Sequence, residues 1–378
     1  MNKKILILSF LSVLFLAAGP IRAAIGVTNL RTEQLKNPSG IDTHQPRLGW
    51  RIESNEQNVM QTAYHILVAS SPDLLAQGKG DMWDSGKVET DASQWITYQG
   101  ENLKRNAPYF WKVKVYTNKG ESDWSSPAFW SMGLFNEADW QGQWIGLDRA
   151  APGDSETQWS RLAARYLRKE FALKKEIKRA TVHIAGMGLY ELFINGQRIG
   201  DQVLAPAPTD YRKTILYNTY DVTSQLQQEN AIGVTLGNGR FYTMRQNYKP
   251  YKIPTFGYPK LRLNLIVEYA DGSKETIATN TSWKLTTEGP VRSNNEYDGE
   301  EYDARKELGN WTQTGYDDTK WMPAERVSIP SGTLRAQMMP GMKVTETLKP
   351  VSIQKMGDKY IMDTGQNLAG WVRSVSYT

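Results

Sequence analysis

The chain has 378 residues, enough for two or three domains of ordinary size. It contains no cysteine, which excludes disulfides, a thiolate nucleophile and Cys-ligated zinc. Its 45 basic and 40 acidic residues nearly balance, so the composition lacks the strongly basic character of a nucleic-acid-binding protein.

Residues 1–24 have the layout of a secretory signal peptide. Lys3 and Lys4 precede an apolar run over residues 5–18, and small residues follow at Ala23 and Ala24. The run is too short to span a bilayer, so we expect no membrane span after its removal. The sequence predicts an exported protein, either periplasmic or extracellular.

Residues 25–135 show short strands separated by turns. The run Phe110–Tyr116 alternates apolar and basic residues, which indicates a strand with one buried face. A second strand is predicted over Thr62–Ala69, and a short helix with Ser71 as its cap and Pro72 at its first position. The pattern predicts a sandwich like an immunoglobulin or fibronectin type III module.

Residues 140–335 are predicted to form a second β domain of the jelly-roll type. Asn195-Gly196 and Asp271-Gly272 lie between apolar runs, as in tight hairpins. Long helices are not indicated anywhere, although Val222–Gln228 could form a short one capped by Asp221. The fold class is therefore all-β.

Residues 340–378 look like the start of a third β segment that is cut short. Val351–Ile353 and Tyr360–Met362 are the predicted strands. Strands without their sheet partners would expose backbone groups and apolar side chains.

The three histidines, His44, His65 and His183, are scattered along the chain. No pair has the spacing of a helical or hairpin metal site, so we interpret them as ordinary strand or loop residues. No nucleophile elbow and no dinucleotide fingerprint occurs either.

Two polar loops are candidates for sugar binding. Asn238, Arg240 and Tyr242 follow a glycine at position 237, and Asp210 and Tyr211 follow a proline-rich segment. Aromatic rings, amides and charged groups together are what recognition of a polyol requires. The alternative for the first loop is a simple tight turn between strands.

The densest acidic cluster is Asp298-Gly-Glu-Glu-Tyr-Asp-Ala-Arg305. Glycoside hydrolysis uses two carboxyl groups that face each other across the scissile bond. Charged runs of this kind are more often solvated loops, and successive strand residues point to opposite faces. We therefore interpret the cluster as structural.

Three parts of the sequence resemble one known family. They are Gly299-Glu-Glu-Tyr-Asp-Ala-Arg305, Asp363-Thr-Gly-Gln-Asn-Leu-Ala-Gly-Trp371, and the run from Leu189 through Asp210 to Gly239. In order and spacing they resemble the amino-terminal half of bacterial α-L-rhamnosidases of glycoside hydrolase family 78. The resemblance implies an immunoglobulin-like module, the rhamnosidase amino-terminal β domain and the first strands of a concanavalin-like domain.

The resemblance also implies a reaction, the inverting hydrolysis of terminal α-L-rhamnose. In that family the acid and base carboxylates lie on an (α/α)6 barrel that follows the β domains. No catalytic residue can be transferred to this chain, so we expect it to be inactive alone. No cofactor is required by the resemblance, and calcium is expected by kinship only.

Three hypotheses remain open from the sequence. The chain is the non-catalytic front portion of an α-L-rhamnosidase, or a secreted carbohydrate-binding protein that recognises rhamnose-containing glycans. The third is a docking surface for a separately encoded catalytic domain.

Overall fold

The structure is a computed structural model that describes residues 25–151, 154, 162–243 and 256–372. The predicted signal peptide, residues 1–24, lies outside the described residues. Within those ranges the chain is almost entirely β, which confirms the predicted fold class. It divides into two compact units, the first ending at Gly133 and the second beginning at Leu134. None of the described helices is long and apolar enough to cross a membrane.

The first unit is a β-sandwich. Its strands are β1 (Ile25–Thr32), β2 (Arg47–Ser54), β3 (Gln61–Ala69), β4 (Trp83–Glu89), β5 (Ile96–Thr97), β6 (Pro108–Thr117), β7 (Gly120–Glu121) and β8 (Ala128–Ser131). One sheet has the order β1-β2-β5, and the other has the order β4-β3-β6-β7 with β8 also paired to β6. All of these pairs are antiparallel.

The alternation predicted for β6 is present in the structure. Trp111, Val113 and Val115 are fully buried, whereas Lys112 and Lys114 keep partial exposure. The predicted helix is also present as α1 (Pro72–Ala76), and Ser71 Oγ accepts a hydrogen bond from the backbone N–H of Leu74 at 3.2 Å. This bond satisfies one of the amide groups that a helix start leaves unpaired.

The second unit contains the remaining described strands. They are β9 (Ile145–Gly146), β10 (Arg165–Ala172), β11 (Ile177–Met187), β12 (Leu189–Ile194), β13 (Gln197–Ile199), β14 (Thr214–Asp221), β15 (Glu229–Gly237), β16 (Lys260–Tyr269), β17 (Lys274–Ala278), β18 (Lys284–Thr286), β19 (Val291–Asn295), β20 (Gly299–Tyr302), β21 (Met322–Pro323), β22 (Glu325–Arg326), β23 (Thr333–Ala336), β24 (Ser352–Met356) and β25 (Lys359–Asp363). Single 3₁₀ turns lie at Glu137–Asp139, Thr223–Gln225 and Ala304–Lys306.

Two sheets of the second unit enclose a common apolar core. One has the order β13-β12-β15-β10-β18-β21, and the other β22-β9-β16-β11-β14-β23, with β17 on the edge of β16. Alternate residues of the central strands point into the core, among them Leu167, Val182, Val234 and Leu263. All four are fully buried, and each such side chain contributes about 1.5–3 kcal/mol on removal from water.

The two predicted hairpins of the second unit form, with different turns. Asn195 and Gly196, at φ 51° and 82°, connect β12 to β13 as a two-residue turn. Residues 270–273 connect β16 to β17, and only Gly272 among them has a positive φ. The Asp271-Gly272 pair therefore belongs to a longer loop than predicted.

The short helix predicted over Val222–Gln228 is wrong in length and type. The structure has a single 3₁₀ turn at Thr223–Gln225, after which the chain enters β15. Asp221 still accepts a hydrogen bond from the backbone N–H of Thr223 at 3.0 Å. The chain must reach Glu229 in an extended conformation to pair with β10, and the single 3₁₀ turn makes that connection.

His183 lies on β11 and is completely buried. Its Nδ1 atom is 2.9 Å from Thr219 Oγ1, so the ring is held inside the protein. Burial, with a smaller contribution from the charge of Arg179, lowers the pKa of His183 to about 3. The ring is therefore neutral in the folded protein at neutral pH, as expected for a structural residue.

This buried ring makes stability depend on pH. An unfolded histidine has a pKa of about 6.5 and therefore binds a proton at pH values where folded His183 stays neutral. Stability is therefore complete above about pH 6.5 and falls as the pH drops. Between about pH 7.5 and about pH 5 we expect a loss of about 2 kcal/mol, measured by urea unfolding of the second unit. The variant His183→Gln should show a smaller loss, and an unchanged pH dependence would contradict the assignment.

Candidate functional site

The two loops that carry the five predicted sugar-binding residues are in contact in the second unit. Tyr211 packs edge-on against Phe241 and Phe256, with ring centroids 5.2 Å apart in both cases. Phe241 follows Arg240 in the loop after β15, so the two predicted loops share one aromatic cluster. We call this region, with Asp210–Arg212 and Asn238–Tyr242, the rim.

The two tyrosines of the rim are buried. Tyr211 keeps 3% of its surface exposed and Tyr242 keeps 7%. Burial raises the pKa of Tyr211 to about 12, so its hydroxyl stays neutral. Tyr242 stacks on Tyr258 with centroids 5.7 Å apart. In this structure neither ring is an open stacking surface, so a stacking role for them stays a prediction.

Asn238 is buried, and its side chain holds the rim together. Its Nδ2 group donates to the carbonyl oxygens of Leu162 at 2.8 Å and Asn294 at 2.9 Å. Its backbone N–H donates to Asn294 Oδ1 at 2.6 Å. The two asparagines thus connect the loop after β15 to β19.

Gly237 permits this contact between the two asparagines. A Cβ atom at Gly237 would lie 2.6 Å from Asn294 Oδ1, so the side chain of Asn294 would have to shift and its bond to Asn238 would be disturbed. The glycine is therefore needed for the close approach of a side chain of the protein itself. The interpretation as a structural turn explains the glycine without a ligand.

One buried polar atom of Asn238 and one of Asn294 remain available for a further hydrogen bond. Asn238 Oδ1 and Asn294 Nδ2 have no hydrogen-bond partner among the described residues. One is an acceptor and the other a donor, the pair of functions that a hydroxyl group or a water molecule can satisfy together.

The charged residues of the rim lie at the surface. Arg240 makes a bidentate ion pair with Glu296, with Nε and Nη2 at 2.6 and 2.7 Å from the carboxylate oxygens. Asp210 pairs with Arg212, whose guanidinium also lies 5.7 Å from the centroid of Phe256. These exposed groups are the ones that a ligand can reach.

A buried ion pair lies near the rim. Arg165 at the start of β10 is fully buried, and its Nη2 atom is 3.2 Å from Asp154 Oδ2. Burial lowers the pKa of Arg165, and the charge of Asp154 opposes that effect. Leu162, an acceptor for Asn238, lies three residues before Arg165.

The acidic cluster lies on the exposed hairpin of β19 and β20. Asp303 accepts from the backbone N–H and the guanidinium of Arg305, and Asp298 accepts from Asn295. Partial desolvation, with a smaller contribution from Glu191, raises the pKa of Glu300. The side chain of Glu300 is nevertheless exposed, which agrees with the structural interpretation of the cluster.

Sequence reasoning missed Asn294 and Glu296, the partners of Asn238 and Arg240. Each lies 56 residues from its partner along the chain. A run of polar residues, Ser293-Asn-Asn-Glu296, is the only sequence signal for them, and it does not reveal the pairing.

The described residues do not form a cluster of metal ligands. Among the described ranges, no group of three or more His, Asp or Glu side chains is close enough to hold an ion. These residues therefore do not supply the carboxylate cluster that calcium prefers. Calcium dependence stays a prediction from kinship.

The fold and the rim define a pair of β-sandwich modules with a polar, aromatic rim on the second. Two family patterns match these modules. The Rha78A-like N-terminal immunoglobulin domain matches residues 27–136, and the α-L-rhamnosidase N-terminal domain matches residues 175–346.

Relatives and solved structures agree with these patterns. An α-L-rhamnosidase of Formosa agariphila is 39% identical over an alignment of 358 residues that covers 89% of this chain and 37% of the relative. The structure of α-L-rhamnosidase from Dictyoglumus thermophilum is 38% identical with a TM-score of 0.79, covering 90% of this chain and 38% of that one. The Streptomyces avermitilis α-L-rhamnosidase complexed with L-rhamnose is 25% identical with a TM-score of 0.80, covering 91% and 49%.

The chain thus spans less than half the length of these relatives. It belongs to the α-L-rhamnosidases of glycoside hydrolase family 78 and matches their amino-terminal region.

The rim generates a prediction about stability. Asn238→Ala leaves the carbonyl groups of Leu162 and Asn294 without their donor, so we expect a loss of about 1–3 kcal/mol in the free energy of unfolding. Arg240→Ala removes only an exposed ion pair and should cost less than about 1 kcal/mol. Urea unfolding of both variants measures the difference. Equal losses would contradict the structural role of Asn238.

Proposed function

We propose that this chain is the non-catalytic, glycan-recognising amino-terminal part of an α-L-rhamnosidase. The reaction of the whole protein would be the hydrolysis of terminal α-L-rhamnose from glycosides or polysaccharides. The observation that carries the proposal is the match of two consecutive β modules to the amino-terminal domains of this family.

The position of the acidic groups supports a non-catalytic role. A glycosidase needs two opposed carboxyl groups, one of them kept protonated by a shielded environment. The densest acidic cluster lies on an exposed hairpin, and Asp303 is engaged by Arg305. Glu300 is partly desolvated, but its side chain is exposed, so the cluster does not form an enclosed site.

Glycan recognition by the second unit would use the exposed part of the rim. Arg240, Glu296, Asp210 and Arg212 form two surface ion pairs beside the aromatic cluster. Guanidinium and carboxylate groups donate to and accept from sugar hydroxyls, and the edge of Phe256 offers an apolar contact. Export to the periplasm or the cell exterior belongs to the same proposal and is supported by the layout of residues 1–24.

The proposal includes a second partner, which is a catalytic domain. This domain can be encoded separately from the present chain. Supporting this partner is the hairpin of β24 and β25, which exposes Ile353, Tyr360 and Ile361 to solvent. Apolar groups at such a surface favour contact with another protein. Co-purification of this chain with such a domain is the measurement that tests this partner. Separate elution of the two proteins would argue against it.

Titration calorimetry tests glycan recognition. The purified protein is titrated with L-rhamnose and with a rhamnose disaccharide, with and without calcium, and we expect a Kd of about 1 mM. Arg240→Ala should weaken binding about tenfold, because it removes a donor that contacts the sugar. Arg149→Ala, which removes the exposed Arg149–Glu325 pair elsewhere on the unit, is the matched control. Absence of heat with both sugars would remove the binding proposal.

A further inference from the structure

Trp95 is an exposed and strained aromatic residue in the first unit. It lies immediately before β5, and 54% of its surface is open to solvent. Its backbone φ is 59°, in the left-handed region that bulky side chains rarely adopt. Backbone strain of this kind is concentrated at ligand-binding positions, where the surrounding structure enforces it.

The loop before Trp95 is fixed to the neighbouring strand. Gln94 Nε2 donates to the carbonyl oxygen of Trp50 at 2.6 Å, and the backbone N–H of Trp50 donates to the carbonyl of Ser93 at 3.0 Å. Trp50 is itself buried in β2. The position of the Trp95 ring is therefore set in advance, which lowers the entropic cost of binding on it.

Arg47 supports the ring from the same sheet. Its Cζ atom lies 4.4 Å from the centroid of the Trp95 ring. The guanidinium is oriented by Glu33, which accepts from Arg47 Nε at 3.1 Å and Nη2 at 2.6 Å. Glu33 is buried, so this ion pair is a stable support rather than a fluctuating surface contact.

A polar groove lies next to the paired strands β2 and β5, lined by the residues just before β2 and just after β5. Arg47 pairs with Thr97 in the register of β2 and β5, and the backbone N–H of Tyr98 donates to the carbonyl of Pro46. Continuing this register places Gln45 opposite Gln99, two residues further along the same face.

Gln45 and Gln99 line the groove together with Glu101 and Asn102, and its volume is about 510 Å³. Gln99 lies four residues after Trp95, a distance of about 13 Å along an extended chain.

We infer that this face of the first unit binds a glycan chain of several sugar residues. One sugar places its apolar C–H face on Trp95, and the hydroxyls of the following residues bond to the amide and carboxylate groups of the groove. Glutamine and asparagine side chains both donate and accept, as sugar hydroxyls require. An apolar platform beside convergent polar groups is typical of such sites. This site is separate from the rim, and neither proposal depends on the other.

Affinity electrophoresis of the full chain tests the inference. Native gels contain rhamnogalacturonan, arabinogalactan or xylan at increasing concentration, and retardation gives an apparent Kd. We expect retardation by at least one of them, weakened about tenfold or more by Trp95→Ala. Trp95→Phe should retain part of the binding. Trp371→Ala changes another exposed tryptophan, on the second unit, and should leave retardation unchanged.

A second variant separates binding from a structural role. Glycine adopts a positive φ without strain, so the melting temperature of the Trp95→Gly variant should not fall. Its retardation by the polysaccharide should nevertheless be lost. The inference is overturned if none of the three polysaccharides retards the chain, or if Trp95→Ala and Trp371→Ala behave alike. A large drop in the melting temperature of Trp95→Gly would also overturn it, because Trp95 would then be a structural residue.

Discussion

Burial of aliphatic side chains between the two sheets of the second unit is the interaction on which its other features depend. Residues such as Leu167, Val182 and Leu263 are removed from water on alternate positions of paired strands. Each contributes about 1.5–3 kcal/mol, and their sum offsets the entropy lost by ordering the chain. Because the sheets are fixed in this way, the loops at their ends are brought together at one place, and the rim is formed by that placement.

Buried polar groups at the rim stabilise the fold through hydrogen bonds within the protein. Asn238 holds Leu162 and Asn294, and Gly237 provides the space for that contact. The groups left at the surface are charged pairs such as Arg240 with Glu296. Trp95 in the first unit differs from the rim tyrosines, because its ring is exposed and its backbone is held in an unfavourable conformation. The two units therefore present different kinds of surface to solvent.

The sequence predicted the β architecture well, because alternation and turn residues act locally. The strand around Trp111, the Ser71 cap and the Asn195-Gly196 hairpin were all visible as short patterns. The segment after Asp221 was misjudged as a helix, since strand pairing outweighed its local preference. The hydrogen bonds between Asn238 and Asn294 could not be predicted, because they join residues far apart in the chain. The positive φ of Trp95 has no sequence signature either.

We propose that the two β units recognise a glycan without cleaving it. The most direct test of this proposal is the release of 4-nitrophenol from 4-nitrophenyl α-L-rhamnoside by the purified protein. We expect a rate indistinguishable from buffer, because the acidic cluster around Glu300 lies on an exposed strand rather than in an enclosed cleft. Measurable turnover that is abolished by Glu300→Gln would contradict it.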